Sequence, residues 1–123
     1  MSDSLERLYA AVVAAKDGDP ATSRTAKLLR AGRGKMAKKV AEEAVEVVID
    51  AMHGETEAAV KESADLMYNL VVLWVAAGIH PNDVWAEMDR RERMFGIAEK
   101  LPKRSSPAFA RRKVVALAGV RKR

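Results

Sequence analysis

Residues 64–77 read Ala-Asp-Leu-Met-Tyr-Asn-Leu-Val-Val-Leu-Trp-Val-Ala-Ala, with twelve of the fourteen positions apolar. The run is too short and too polar to cross a membrane as a helix. A helix that is apolar on every side is buried, either at the centre of a bundle or in a subunit interface. An ionised Asp65 on such a helix is costly unless a charge or a metal satisfies it. Asn69 stands four residues further on, in line with Glu62, so the polar groups of this segment gather on one side.

Working outward, the chain reads as helix after helix. Leu5, Leu8, Tyr9, Val12 and Val13 give residues 4–16 an amphipathic pattern. Gly18-Asp19-Pro20 breaks it, and Asp19 or Thr22 can cap a short helix over 21–31 that stops at Gly32. Gly32-Arg33-Gly34 reads as a loop leading into a long helix over 35–53, ended by Gly54. Thr56 can cap the next helix, which runs to Ala77 and is stopped by Gly78. Pro81 suits the first position of a further helix reaching Met94. No segment alternates over strand length, so the expectation is an all-α bundle of four or five helices. Residues 96–107 look irregular, and 108–118 could become helical on binding a partner. The domain is placed at 1–103, with 104–123 as a basic extension.

The helix before the apolar run carries Glu42, Glu43, Glu46 and Asp50. At about 100° per residue, with Glu42 at zero, Glu46 falls near 40°, Asp50 near 80° and Glu43 near 100°. Val40, Ala41, Ala44, Val45, Val47, Val48, Ala51 and Met52 fill the arc from about 140° to 300°, the side expected to pack. Taken alone, the acids are what a solvated face would show. With Glu62 and Asp65 on a buried second helix, an antiparallel turn would bring two clusters together. Four or five converging carboxylates repel strongly unless a cation neutralises them. A hard divalent ion such as Mg²⁺ prefers oxygen ligands and bridges phosphates. A network of structural ion pairs is the competing explanation.

Upstream, residues 24–39 contain Arg24, Lys27, Arg30, Arg33, Lys35, Lys38 and Lys39 and no acid. Two glycines lie in this run just before a helix N-terminus, which suits an anionic ligand. A solvated basic face explains Arg24, Lys27 and Arg30 equally well, and a Lys39–Glu43 pair at i,i+4 competes with a phosphate role.

The net charge of +5 hides an asymmetry: residues 1–99 carry −4 and residues 100–123 carry +9 with no acid. Nucleic-acid affinity is therefore confined to the tail, whose plain alternative is a solubilising extension. Cysteine is absent, which excludes disulfides, thiolate metal sites and a Cys nucleophile. The first residues hold acids where a secretory signal needs bases, and the chain reads as cytoplasmic. His53 and His80 stand at helix ends as caps or surface groups, and Trp74 and Trp85 read as packing residues. Met36, Met52, Met67, Met88 and Met94 suit a core or an interface.

The stretch 22–91, with TAKLLRAGRGKMAKKVAEEAVEVV, ESADLMYNLVVL, Gly78 and DVWAEMDRR, resembles the phosphoribosyl-ATP pyrophosphohydrolase family. That family belongs to the MazG-like all-α nucleoside triphosphate pyrophosphohydrolases, whose metal motif EExxE…ExxD matches Glu42, Glu43, Glu46, Glu62 and Asp65. The resemblance implies hydrolysis of phosphoribosyl-ATP to phosphoribosyl-AMP and pyrophosphate, the second step of histidine biosynthesis. It implies Mg²⁺ held by Glu43, Glu46, Glu62 and Asp65, with Glu42 and Glu46 in catalysis, Glu42 to orient or deprotonate the attacking water. Arg33, Lys35, Lys38, Lys39 and Asn69 are then the phosphate and substrate contacts. It also implies a homodimer or higher oligomer, formed through an apolar helix, with active sites near the interface. Arg24, Lys38 and Ala41 depart from the family pattern, at positions beside the expected phosphate site.

Two other functions fit the residues. One is a related pyrophosphohydrolase that clears non-standard or excess nucleoside triphosphates with the same metal chemistry. The other is a non-catalytic helical module whose basic tail binds nucleic acid.

Overall fold

A computed structural model describes residues 3–95 of the chain. The irregular stretch expected over 96–107, the helix over 108–118 and the domain boundary at 103/104 lie outside the described residues. Those residues form five helices and no strand: α1 (Ser4–Ala15), α2 (Arg24–Ala31), α3 (Arg33–Met52), α4 (Thr56–Ala77) and α5 (Pro81–Phe95). The all-α expectation holds. Contacts divide them into two units, residues 3–83 and residues 84–95, so α5 begins in the first and continues in the second.

In the first unit, α3 and α4 form an antiparallel hairpin closed at residues 53–55, with Gly54 at φ +72°. α1 packs on α4, and α2 packs on α3. The core joins Val12 of α1, Met36 of α3 and Val71 and Val72 of α4, flanked by Leu8, Leu28, Tyr68 and Leu73. Fully burying each of Val12, Met36, Val71 and Val72 contributes about 1.5–3 kcal/mol. They lie in the half of the hairpin away from its turn, the half that α1 and α2 cover.

Burial divides α3's apolar arc between its two edges. Val40, Ala44 and Val47 are partly buried, whereas Val45, Val48 and Met52 are exposed, so the arc expected to pack as a whole packs only in part. On α4, Val60 and Met67 are exposed where Val71 and Val72 are buried. The 64–77 run is thus consumed mostly by the chain's own core. The apolar surface left bare sits toward the turn, on α3's second half and α4's first. Among the described residues no single helix is long and apolar enough to cross a membrane.

Local boundaries differ from expectation for identifiable reasons. Asp19 spends its side chain on the Ala21 amide at 2.9 Å and its carbonyl on the Thr22 and Ser23 amides, which builds a turn. Ser23 is then the cap of α2, its Oγ accepting from the Ala26 amide at 3.0 Å. Gly32 alone joins α2 to α3, at φ 100° and ψ 164°, a region essentially reserved for glycine. Arg33 and Gly34 are therefore the first turn of α3, where a loop was expected. Thr56 is already helical, and Glu55 holds the cap position without a side-chain cap bond.

α4 ends as its sequence indicated. Gly78 is left-handed, its amide donates to the Val75 carbonyl, and the Ile79 amide donates to the Trp74 carbonyl at 2.8 Å. His80 is a cap, as its position implied. Its Nδ1 accepts from the Asn82 amide at 2.9 Å while Asp83 Oδ2 accepts from the His80 amide at 2.9 Å. Its ring also lies 4.5 Å from that of Tyr9. In the second unit, Arg90 grips both oxygens of Glu87 and Arg91 adds a third bond. The Arg90 and Arg91 hydrogen bonds hold the Glu87 carboxyl well below the usual range, at about 2.

Candidate active site

The antiparallel hairpin sets three acids of α3 against two of α4. Oxygens of Glu43, Glu62 and Asp65 all lie within 4.8 Å of one another, and so do oxygens of Glu46, Asp50 and Glu62. Glu62 belongs to both groups and ties them into one cluster. Asp50, on the acidic stripe but outside the EExxE…ExxD motif, joins the cluster. The signal was its spacing, one turn beyond Glu46 on the same side.

Among the described residues no lysine or arginine forms an ion pair with any of these carboxylates; the ion pairs join Asp3 to Arg7 and Glu87 to Arg90 and Arg91. The competing Lys39–Glu43 pair is not formed. The cluster is electrostatically unrelieved, and Glu62 registers it. Proton sharing with the Glu43 carboxyl, then desolvation, then the charges of Glu43, Asp65 and Glu46 push its pKa up to about 7. Glu43 Oε1 is buried with no hydrogen-bond partner. An orphaned carboxylate oxygen among close, all-oxygen neighbours fits a hard divalent cation.

Beside the acids lies a cavity of about 440 Å³, whose wall includes Arg24, Lys27, Lys35, Lys38, Lys39, Glu42 and Asn69. None of its five cations is ion-paired among the described residues. Opposite charges have therefore been folded side by side without neutralising one another, the arrangement a metal-bound phosphate would complete. Glu42 faces this hollow and belongs to neither close group of carboxylates.

Asn69 occupies the cavity's buried edge and is 3% exposed. Its Nδ2 donates to the Asp65 backbone carbonyl at 2.9 Å, not to the Asp65 carboxylate, and its Oδ1 is buried without a partner. Arg33 lies elsewhere: with Lys16, Arg30 and Met36 it lines a separate hollow of about 400 Å³. Arg24 and Lys27, which a solvated face would have explained, join Lys35, Lys38 and Lys39 instead. The turn to α3 at Gly32 brings α2 and α3 alongside each other, and no periodicity within either helix reports that.

The pattern of the phosphoribosyl-ATP pyrophosphohydrolase family matches residues 5–92, a span holding every carboxylate and cavity residue above. The chain belongs to that family. It is similar to phosphoribosyl-ATP pyrophosphatase 2 of Bradyrhizobium diazoefficiens, at 65% identity over 127 aligned positions covering 97% of this chain and 95% of the relative. Phosphoribosyl-ATP pyrophosphatase 2 of Rhodopseudomonas palustris is 63% identical over 94% of this chain and 92% of its own length. Phosphoribosyl-ATP pyrophosphatase of Azospirillum brasilense is 54% identical over 82% of this chain and 91% of its own. Coverage of 97% and 94% means that the first two alignments run into the acid-free stretch after residue 99. The family's match stops short of it.

Proposed function

We propose that this chain hydrolyses phosphoribosyl-ATP to phosphoribosyl-AMP and pyrophosphate, the second step of histidine biosynthesis, in the cytoplasm and with Mg²⁺. The observation that carries the reading is the meeting of α3 and α4 carboxylates, one oxygen buried and unpartnered, beside a hollow walled by unpaired lysines. Family membership and the relatives' names support the substrate.

Glu43, Glu46, Glu62 and Asp65 would hold the cation, with Asp50 close enough to Glu46 and Glu62 to join them. When bound, the cation supplies charge neutralisation and polarises the phosphate oxygens. The chain's own groups do the rest. Lys35, Lys38 and Lys39 line the hollow and offset the charge that grows on the leaving pyrophosphate. Glu42, on the same wall, orients the attacking water and accepts its proton as the new P–O bond forms and the bond between the α and β phosphates breaks. Asn69 offers its unpartnered amide oxygen to the substrate from the buried edge. Arg33, in the neighbouring hollow, contributes only the longer-range attraction of its charge.

The protein acts as a homodimer or larger homo-oligomer. Val48 is 59% exposed, Met52 79% and Val60 63%, an apolar surface at the turn end of the hairpin that a second copy would cover.

Pyrophosphate release from phosphoribosyl-ATP, measured beside a panel of deoxynucleoside triphosphates, tests the reading. Phosphoribosyl-ATP should be preferred, with turnover lost in a chelator and restored by Mg²⁺. Equal turnover of the deoxynucleotides would give the site a clearing role. A chain inert to every triphosphate that binds DNA in a salt-sensitive way would end the enzymatic reading.

A further inference from the structure

The cations beside the carboxylates extend further than a triphosphate requires. Lys35, Lys38 and Lys39 precede Glu42 and its neighbours along α3, while Arg24 and Lys27 come from another helix, α2. Those two also line a second hollow of about 560 Å³, together with Thr22 and Ser23, so the two spaces adjoin at their side chains. Arg24 is held in place. Its guanidinium carbon sits 5.6 Å from the centre of the Tyr68 ring, and the Tyr68 hydroxyl is fixed by a 2.7 Å hydrogen bond with Thr25. A guanidinium that rests on an aromatic face keeps its N–H edges free for an oxyanion. Neither Arg24 nor Lys27 has an acid partner among the described residues, and the first turn of α2 contains no acid.

A ligand with a single anionic end would leave this pair without a counter-charge. Phosphoribosyl-ATP has two: the triphosphate and, on the phosphoribosyl group, a phosphate monoester. Asn69, nine-tenths buried with an unpartnered oxygen, lines the first hollow and is an independent sign that a ligand fills it.

We infer that Arg24 and Lys27 bind the phosphate monoester of the phosphoribosyl group, so that the adjoining hollows grip both charged ends of one substrate. The inference rests on the phosphoribosyl-ATP reading and adds the subsite that separates this molecule from ordinary nucleoside triphosphates. A guanidinium and an ammonium on one phosphate make charge-assisted hydrogen bonds, which are stronger than neutral ones.

Calorimetric titration of the full chain with phosphoribosyl-AMP and with AMP tests it, because the two ligands differ only by the phosphoribosyl group. Arg24→Ala and Lys27→Ala should each weaken phosphoribosyl-AMP roughly tenfold and AMP by less than about twofold. Arg24→Lys should retain part of the lost affinity. Melting curves of each variant check that the fold survives. Equal weakening of both ligands, or of neither, overturns the subsite while leaving the proposed reaction standing. Wild-type protein that turns over ATP and phosphoribosyl-ATP with equal kcat/KM overturns the proposed reaction itself, and the subsite with it.

Discussion

Replacing Tyr68 with phenylalanine deletes one oxygen from the seam between α2 and α4. The bond it makes with Thr25 is 2.7 Å long, partly buried, and joins residues 43 apart in sequence. The ring stays in place against the core, so no cavity opens and the change is confined to the hydroxyl. A neutral hydrogen bond contributes about 1 kcal/mol net, and a partly buried Thr25 can recover some hydration, which caps the loss near that value. For a chain of this size that lowers Tm by about 3–6 °C. The assay is a double-mutant cycle of Tyr68→Phe and Thr25→Val, followed by denaturant unfolding. The coupling energy should be about 1 kcal/mol. Because α2 carries Arg24, Lys27 and Leu28 of the cavity wall, the single variants should raise KM more than they lower kcat. A coupling within about 0.3 kcal/mol of zero would refute the claim that this bond fastens α2 to the hairpin.

Other expectations follow from the same structure. Gly32→Ala forces a side chain into a backbone conformation at φ 100° and ψ 164°; it should destabilise by about 1–3 kcal/mol in chemical unfolding, although open space surrounds the position. Glu46→Gln should cut pyrophosphate release by about a hundredfold or more while circular dichroism stays unchanged. Glu62, raised to about 7, binds its proton more tightly in the folded state than unfolded, so the stability of metal-free protein should fall as pH rises from 4.5 to about 7. Glu62→Gln should flatten that slope in melting curves taken with a chelator. Glu87 acts with opposite sign in a lower window: the stability it adds is present above 4.5 and lost as pH falls toward about 2. Val48→Asp should shift the sedimentation coefficient toward that of a single chain, and an unchanged value would remove the turn end of the hairpin from the interface.

Much of this was legible in the residues. Helical spacing fixes which side chains share a face, so the convergence of Glu43, Glu46, Glu62 and Asp65 needed only an antiparallel turn, and Gly54 provides it. Asp19, Thr22 and Ser23 are all good caps in close succession; which one caps depends on the turn that Asp19 builds with Ala21 and Ser23. Spacing also cannot say how far neighbouring helices reach. Val45 and Val47 stand at opposite edges of one apolar arc, and only Val47 is partly buried, because the packed neighbours reach one edge of the arc and not the other. The same blindness to packing hides that Arg24 and Lys27 share a hollow with Lys35, Lys38 and Lys39, while Arg33 lines another.

Position 69 holds a buried polar side chain at a cost in stability. Its amide oxygen is buried with no partner, where leucine would fill similar space with nothing left wanting. Removing an unsatisfied buried oxygen is worth about 1 kcal/mol or more. Asn69→Leu should therefore yield a hardier molecule that, on the proposed function, grips its nucleotide less well, and breeding this scaffold for heat tolerance alone would tend to erase that side chain.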